Sequence, residues 1–329
     1  MTTALELTGV VKRYGRCTAL NGLDLAVPAG SIFGLVGSNG AGKTTAMAVS
    51  VGLLRLATGR VNLLGEGPFH PARHAGRVTL LPQDSRLPPH SRVEELLRYY
   101  GQLQGLREGE LQASIEEVLD WVHLQERRRA AVRTLSHGMM RRLTIAQAFL
   151  GHPELVLLDE PISGLDPREA ARIRAILQRR RGAQTIVISS HNLHELETLC
   201  DTAAFIEAGR LVRQDSMDRL TRRSGRMTYH FKPGPLPLDE IRRAVPEAQW
   251  EADPAAGTLT VSFLESGGSA ETLNAAVLPL LLAAGVGILE IRRGSSLESE
   301  YLATAARPPP LPDAAHPGLD SPASRETKQ

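Results

Sequence analysis

The chain has 329 residues, room for about two domains of ordinary size, and its 42% apolar content suffices for buried cores. Its formal charge is only +2, and the 38 basic residues fall in short runs such as Arg127-Arg128-Arg129 and Arg179-Arg180-Arg181, at the polar ends of helical patterns. That scatter leaves a nucleic-acid partner without support, and the two cysteines, Cys17 and Cys200, exclude a disulfide framework and fit a reducing compartment.

In chain order, MTTALELTGVVKRYG lacks a basic stretch followed by an apolar core, so no secretory signal is expected. From Leu5 to Val36 the segments LELTGVV, LDLAV and SIFGLV, separated by turn residues including Pro28-Ala29-Gly30, predict an antiparallel β entry. A helix follows Gly42. From Ser91 to Leu150, VEELLRYYGQL, SIEEVLDWVHL and their neighbours carry apolar residues at helical spacing and predict a helical insert, about 88–150 in all. LVLLD (155–159) and TIVIS (185–189) are short apolar runs rich in branched residues, as strands buried on both faces of a parallel sheet should be. Between them one helix begins at Asp166, an N-cap, with Pro167 at its first position, and FIEAGRLV reads as a hairpin closing a first domain, 1–221.

After a basic linker near 221–226, MTYHFK, LDEIRRAV, AQWEA, TLTVSFL, ETLNAAVLPLLLAAG and VGILEIR predict β-α-β-β-α-β, the split arrangement of a small ferredoxin-like domain over 222–305. Met227, Tyr229 and Phe231 alternate, as do Leu259, Val261 and Phe263, which gives each strand one buried face. The longest uncharged apolar run, Ala275 to Leu289, falls short of the roughly 18 residues of a membrane span and contains Pro279, Gly285 and Gly287. Residues 306–329 are Pro-rich and poor in large apolar side chains, which predicts a disordered tail.

The chemistry concentrates at strand ends. GSNGAGKTT (Gly37, Ser38, Asn39, Gly40, Ala41, Gly42, Lys43, Thr44, Thr45) follows SIFGLV and opens a helix, the context a phosphate-binding loop requires. Its glycines let backbone N–H groups turn toward phosphate oxygens, Lys43 supplies a compact cation for the β- and γ-phosphates, and Thr44 a hydroxyl for Mg²⁺. A Gly-rich turn would produce this pattern by chance in about one chain in a hundred of this length, so the phosphate loop is the better reading. The chain has four lysines, and one stands in this loop, where a flat guanidinium would fit poorly between phosphates.

LVLLDEP ends a buried strand in Asp159 and Glu160. Beside a phosphate loop, Asp159 suits Mg²⁺ coordination and Glu160 the polarisation of an attacking water, although Asp-Glu-Pro alone also suits a helix cap. His191 ends TIVISS on the same sheet edge, or else simply precedes an Asn192-x-x-Glu195 capping box; His194 reads as an ordinary helix residue. Gln83, after VTLLP, either ligates Mg²⁺ or orders water, or is a solvated loop residue. Tyr14 either stacks on an adenine or is a strand-end core aromatic.

Taken in order, Tyr14, GSNGAGKTT, Gln83, LSHGMMRRL (135–143), LVLLDEP, SGLD and His191 make the chain resemble the ATP-binding cassette ATPases over about residues 4–220. The resemblance implies a P-loop α/β fold of that type: an antiparallel β subdomain, a mostly parallel core sheet and a helical insert. It implies ATP and Mg²⁺ as cofactors, adenine stacking on Tyr14, a Q-loop at Gln83, Walker B at Asp159, a catalytic Glu160, a D-loop at Ser163 to Asp166 and a switch at His191. It implies a head-to-tail dimer, a homodimer by expectation, in which Ser136 and Gly138 of one subunit face the γ-phosphate held by the other. His137 and Met139 depart from the family's glycine and glutamine. A Cβ at 137 restricts the backbone conformations open to the loop, yet the same His-Gly-Met variant is similar to the export branch. The second domain, with SLESEYL, resembles the extension found in ABC-2 type exporters. That implies a separate integral membrane permease as partner, no nucleic acid, and a peripheral place on the cytoplasmic face of the membrane.

Overall fold

The structure, a computed structural model, describes residues 2–221, 226–246, 248–262 and 270–293. The opening strands Thr3–Tyr14 (β1) and Cys17–Pro28 (β2) alternate, burying Leu5, Leu7 and Val10 against Leu23, Leu25 and Val27 while Glu6, Thr8 and Asp24 face water. They pair antiparallel, and after the strand Ile32–Val36 (β3) and the helix Lys43–Ser50 (α1), Thr58–Leu63 (β4) closes on the free edge of β1 in the order β2-β1-β4.

β3 is the exception to the expected antiparallel entry. All five of its residues are buried, so IFGLV has no solvent face to enforce alternation. It runs parallel between Thr185–Ser190 (β7) and Thr202–Glu207 (β8) at the heart of a second sheet. With Val78–Leu81 (β5), Leu155–Asp159 (β6) and Arg210–Ser216 (β9), that sheet has the order β5-β6-β7-β3-β8-β9, parallel except for the β8–β9 hairpin. The hairpin turns through Ala208 (φ 46°) and Gly209 (φ 73°), the left-handed pair a two-residue turn needs.

One face of this sheet (Phe33, Leu35, Leu157, Val187) packs on α1 and the antiparallel sheet. The other (Ile32, Val36, Leu158, Ile186, Ile188) shares a core with the insert helices Val93–Leu103 (α3), Glu108–Trp121 (α4) and His137–Ala148 (α5) and with Pro167–Gln178 (α6) and Leu193–Leu199 (α7). Short helices Pro71–His74 (α2) and Met217–Thr221 (α8) complete this part. At the start of α6 the Asp166 carboxylate accepts from the N–H groups of Arg168 and Glu169, as expected of its N-cap.

The rest is a separate sandwich: Arg226–Phe231 (β10), Leu238–Ala244 (α9), Gln249–Asp253 (β11), Thr258–Ser262 (β12), Ala270–Ala283 (α10) and Ile288–Arg293 (β13). Every pair is antiparallel in the order β11-β12-β10-β13, the split β-α-β-β-α-β arrangement. Met227, Tyr229, Phe231, Leu259 and Val261 form its core with Ile241, Val277 and Leu281. Phe263, most of the basic linker, SLESEYL and the Pro-rich tail lie outside the described residues. Among the described residues no helix is long and apolar enough to cross a membrane.

Candidate active site

β3, β6 and β7 deliver their carboxyl ends to one edge of the parallel sheet, and the candidate residues follow each of them. The loop 37–42 leaves β3 with Gly37 buried, Ser38, Asn39 and Gly40 exposed, and Ala41 and Gly42 buried again. Gly42 sits at φ 111°, and a Cβ there would lie 2.8 Å from the Ala19 carbonyl oxygen; at Gly37 it would lie 2.5 Å from that of Ile206. Glycine is therefore a steric requirement at both, and the tight turn it permits aims the free N–H groups of α1 outward. Thr44 is exposed and Thr45 half-buried in the first turn.

Lys43 is 5% exposed, and its ammonium donates to the carbonyls of Gly37 (2.8 Å) and Ser38 (3.1 Å) and lies 3.9 Å from Glu160 Oε1. Burial pushes its pKa down, and the carboxylates of Glu160 and Asp159 offset part of that. A cation desolvated to this degree gains by any further anion placed beside it.

Asp159 ends β6 in register with Ser189 of β7 and is 1% exposed. The Ser189 hydroxyl donates to Asp159 Oδ1 and accepts the Glu160 N–H at 2.9 Å. Asp159 Oδ2 is buried and has no hydrogen-bond partner. A lone buried carboxylate oxygen costs about 1–3 kcal/mol or more, so this atom favours a cation ligand. Among the described residues no group of three or more His, Cys, Asp or Glu could hold a metal by itself. Asp159 therefore fits Mg²⁺, which takes one or two protein carboxylates and completes its shell with phosphate and water, and does not fit a metal needing an all-protein cage.

Glu160 follows at φ 47°, a left-handed conformation that costs a non-glycine residue about 1–2 kcal/mol. Its carboxylate is 6% exposed, with Oε2 accepting from His191 Nδ1 at 2.9 Å and Oε1 facing Lys43. Glu160 thus stands between two cationic or proton-bearing groups, beside the phosphate loop. That arrangement can orient a water against a bound phosphate.

His191 meets Glu160 while its neighbour caps the next helix. Asn192 accepts the Glu195 N–H at 3.4 Å, but the box is only half made: the Glu195 carboxylate accepts from the Ser190 hydroxyl (3.4 Å) instead of from Asn192 N–H. Burial raises the pKa of Glu195. Tyr14 is 47% exposed at the end of β1, with the Lys12 ammonium 5.0 Å from its ring centre, so it is not a core aromatic. Gln83 is exposed, and its carbonyl accepts from Arg141 at 3.3 Å.

In LSHGMMRRL, Ser136 is the N-cap of α5 and accepts the Met139 N–H at 3.2 Å. His137 is the first helical residue, exposed and outside the left-handed region, so its Cβ distorts nothing. Gly138 is the constrained position: a Cβ there would lie 2.6 Å from Glu169 Cγ, and the Glu169 carboxylate is anchored by Arg142 (3.0 Å) and Arg172. Among the described residues no hydrogen bond joins Ser136 or Gly138 to the phosphate loop of its own chain.

Two residues to which the sequence reading gave no role hold this site together. One is Arg141, whose guanidinium reaches four backbone carbonyls. The other is Ser189, one of two serines that end the strand after the apolar Ile186–Ile188, which was its only signal in the sequence. Ser189→Ala is expected to lose about 1–3 kcal/mol of stability by stranding the Glu160 N–H and Asp159 Oδ1. Chemical denaturation measures this, and a change below about 0.5 kcal/mol would remove Ser189 from the role.

A family model described as ABC transporter matches residues 20–163. The chain is 35% identical over 318 residues to the Nod factor export ATP-binding protein I of Cupriavidus pinatubonensis, covering 93% of this chain and 92% of that protein. It is 38% identical over 217 residues to the protein of the same name from Cupriavidus metallidurans, covering 64% and 71%. Among solved structures, an ATP binding subunit of an ABC transporter superposes with TM-score 0.59 at 26% identity, over 66% of this chain and 92% of that one. A nucleotide-free cassette from an ABC transporter shares the fold at TM-score 0.57 and 22% identity, over 66% and 92%.

Proposed function

Because this chain belongs to the ABC transporter ATP-binding family and is an ATPase subunit of that kind, we propose that it powers export through a separate membrane permease, by ATP-driven closure of two cassettes. The Cupriavidus pinatubonensis protein that it matches over 92% of that protein's length is named as an export ATP-binding protein, which supports the direction. A peripheral place on the cytoplasmic face of the membrane follows from that partnership.

The observation that carries the catalytic reading is the position of Glu160, between His191 at 2.9 Å and Lys43 at 3.9 Å on the edge that bears the phosphate loop. Tyr14 offers its exposed ring to the adenine. Backbone N–H groups of residues 37–45 and the Lys43 ammonium receive the phosphates, which replace the carbonyl partners Lys43 has at Gly37 and Ser38. Mg²⁺, held by Asp159, the Thr44 hydroxyl and Gln83, would neutralise charge on the β- and γ-phosphates. Glu160 orients the attacking water, His191 holds the Glu160 carboxylate in place, and Ser136 and Gly138 of a second copy complete the γ-phosphate shell.

Two experiments test this. Purified from detergent-solubilised membranes, the tagged chain is expected to bring down an integral membrane protein in stoichiometric amount; co-sedimentation with ribosomes instead would overturn the transport reading. Ser136→Ala is expected to leave ATP binding by the monomer unchanged while turnover and ATP-driven dimerisation fall about 10- to 100-fold, the worth of one hydrogen bond to a charged group. Size-exclusion chromatography with ATP reads the dimer, and unchanged dimerisation and turnover would sink the trans assignment.

A further inference from the structure

Arg141 and Arg142 are adjacent on α5 and do different things. Arg142 is 5% exposed and behaves as a structural cation: its Nε donates to Glu169 at 3.0 Å and its Nη1 caps the Val122 carbonyl. Arg141 forms no salt bridge among the described residues, yet it is half-buried, and desolvation lowers its pKa. All of its hydrogen bonds go to backbone carbonyls. Nε donates to Pro161 (2.8 Å), Nη2 to Glu160 (2.6 Å) and Asp159 (3.3 Å), and Nη1 to Gln83 (3.3 Å).

These four carbonyls belong to the two segments that carry Asp159, Glu160 and Gln83. One of the three in the Asp159–Pro161 turn belongs to the left-handed Glu160, whose N–H is held from the other side by Ser189. A strained residue persists only where its surroundings over-determine it, and Arg141 and Ser189 are the two sides of that clamp. Arg141 is also three residues beyond Gly138 on one rigid helix, hence on the same face as the N-terminus that carries Ser136. A planar guanidinium, with five donors in a fixed fork, can hold two backbone segments at a set spacing; an ammonium cannot.

We propose that Arg141 is a positioning residue that couples the two nucleotide sites of the dimer: contact of Ser136 and Gly138 with the partner's nucleotide moves α5, and Arg141 transmits that movement to Gln83 and the Asp159–Pro161 turn of its own cassette. This rests on the reading of Glu160 and Ser136 given above. Arg141 acts only through the backbone that aims Glu160.

The full-length chain, with Arg141→Lys and Arg141→Met, tests the coupling. ATP affinity of the monomer should stay within about twofold, because the phosphate loop is untouched. kcat should fall about 10- to 30-fold, the upper range for a coupling network, and the Hill coefficient for ATP should drop toward 1. A purely structural role would lower thermal stability, as Arg142→Met is expected to do, while leaving the Hill coefficient where it was. The sharper measurement is the double variant S136A/R141K. If Arg141 relays from Ser136, its kcat equals that of S136A alone; if the two losses multiply, the relay is overturned. E160Q and S136A measured alongside separate the two levels: native turnover in both would bring down the underlying site assignment, whereas their expected losses with a native R141K would bring down the coupling alone.

Discussion

Glu160→Gln is expected to bind ATP with undiminished affinity, to lose about 10²- to 10⁴-fold in kcat, and to accumulate as an ATP-bound dimer. The magnitude is that of removing one positioned general base. The substitution is close to isosteric, and the amide oxygen can still accept from His191 Nδ1 at the 2.9 Å now occupied by the carboxylate, so the turn at φ 47° should survive. What changes is charge. The amide neither polarises water nor repels the γ-phosphate, and Lys43, 3.9 Å from Oε1, loses one of the two carboxylates that compete with phosphate for its charge. Binding is therefore retained or strengthened while hydrolysis stalls. Single-turnover assays and size-exclusion chromatography with ATP measure the two halves separately. Turnover at the native rate would remove Glu160 from catalysis, and loss of ATP binding would show that it serves structure instead.

Lys43→Met should abolish nucleotide binding in practice, with a loss of about 2–5 kcal/mol, or roughly 30- to 4,000-fold in Kd, as expected when one partner of a buried charge pair is removed. Methionine keeps the approximate length, so the fold should change little. The cation it removes is the one that offsets Glu160 and Asp159, whose carboxylates would then face the phosphates uncompensated. Lys43→Arg separates charge from shape. The ammonium is enclosed by the Gly37 and Ser38 carbonyls at 2.8 and 3.1 Å, and a bulkier planar fork cannot take that place. Arginine is thus expected to fail nearly as badly as methionine. Calorimetric titration with ATP·Mg²⁺ reads both, and an arginine variant with native affinity would show that charge alone suffices.

Much of the fold was legible because local pattern encodes it. Alternation in β1 and β2, the branched apolar runs of LVLLD and TIVIS, and Asp166-Pro167 at a helix start each came out as their residues predict. SIFGLV was the misplacement. Its run of buried residues belongs to the parallel sheet, and nothing in five apolar residues says which neighbours they pair with. The doubt over His137 had a similar origin: whether a Cβ is tolerated depends on backbone conformation, and position 137 is simply the first residue of a helix. The steric constraint falls one residue later, at Gly138, and it comes from Glu169 on another helix.

The loop and the carboxylate pair proposed for phosphate and Mg²⁺ stand out in the chain because each lies in consecutive residues at the end of a buried strand, where spacing and backbone freedom suffice to single it out. Ser189, Arg141 and the Glu160–His191 contact do not. Each joins residues 19 or more positions apart, and each depends on register. A strand buried on both faces carries no polar side to set that register, so TIVISS alone does not tell whether Ser189 or Ser190 meets Asp159. Packing of β7 against β6 and of α5 across the Asp159–Pro161 turn made that choice, and with it turned two side chains into the clamp on the backbone of Glu160.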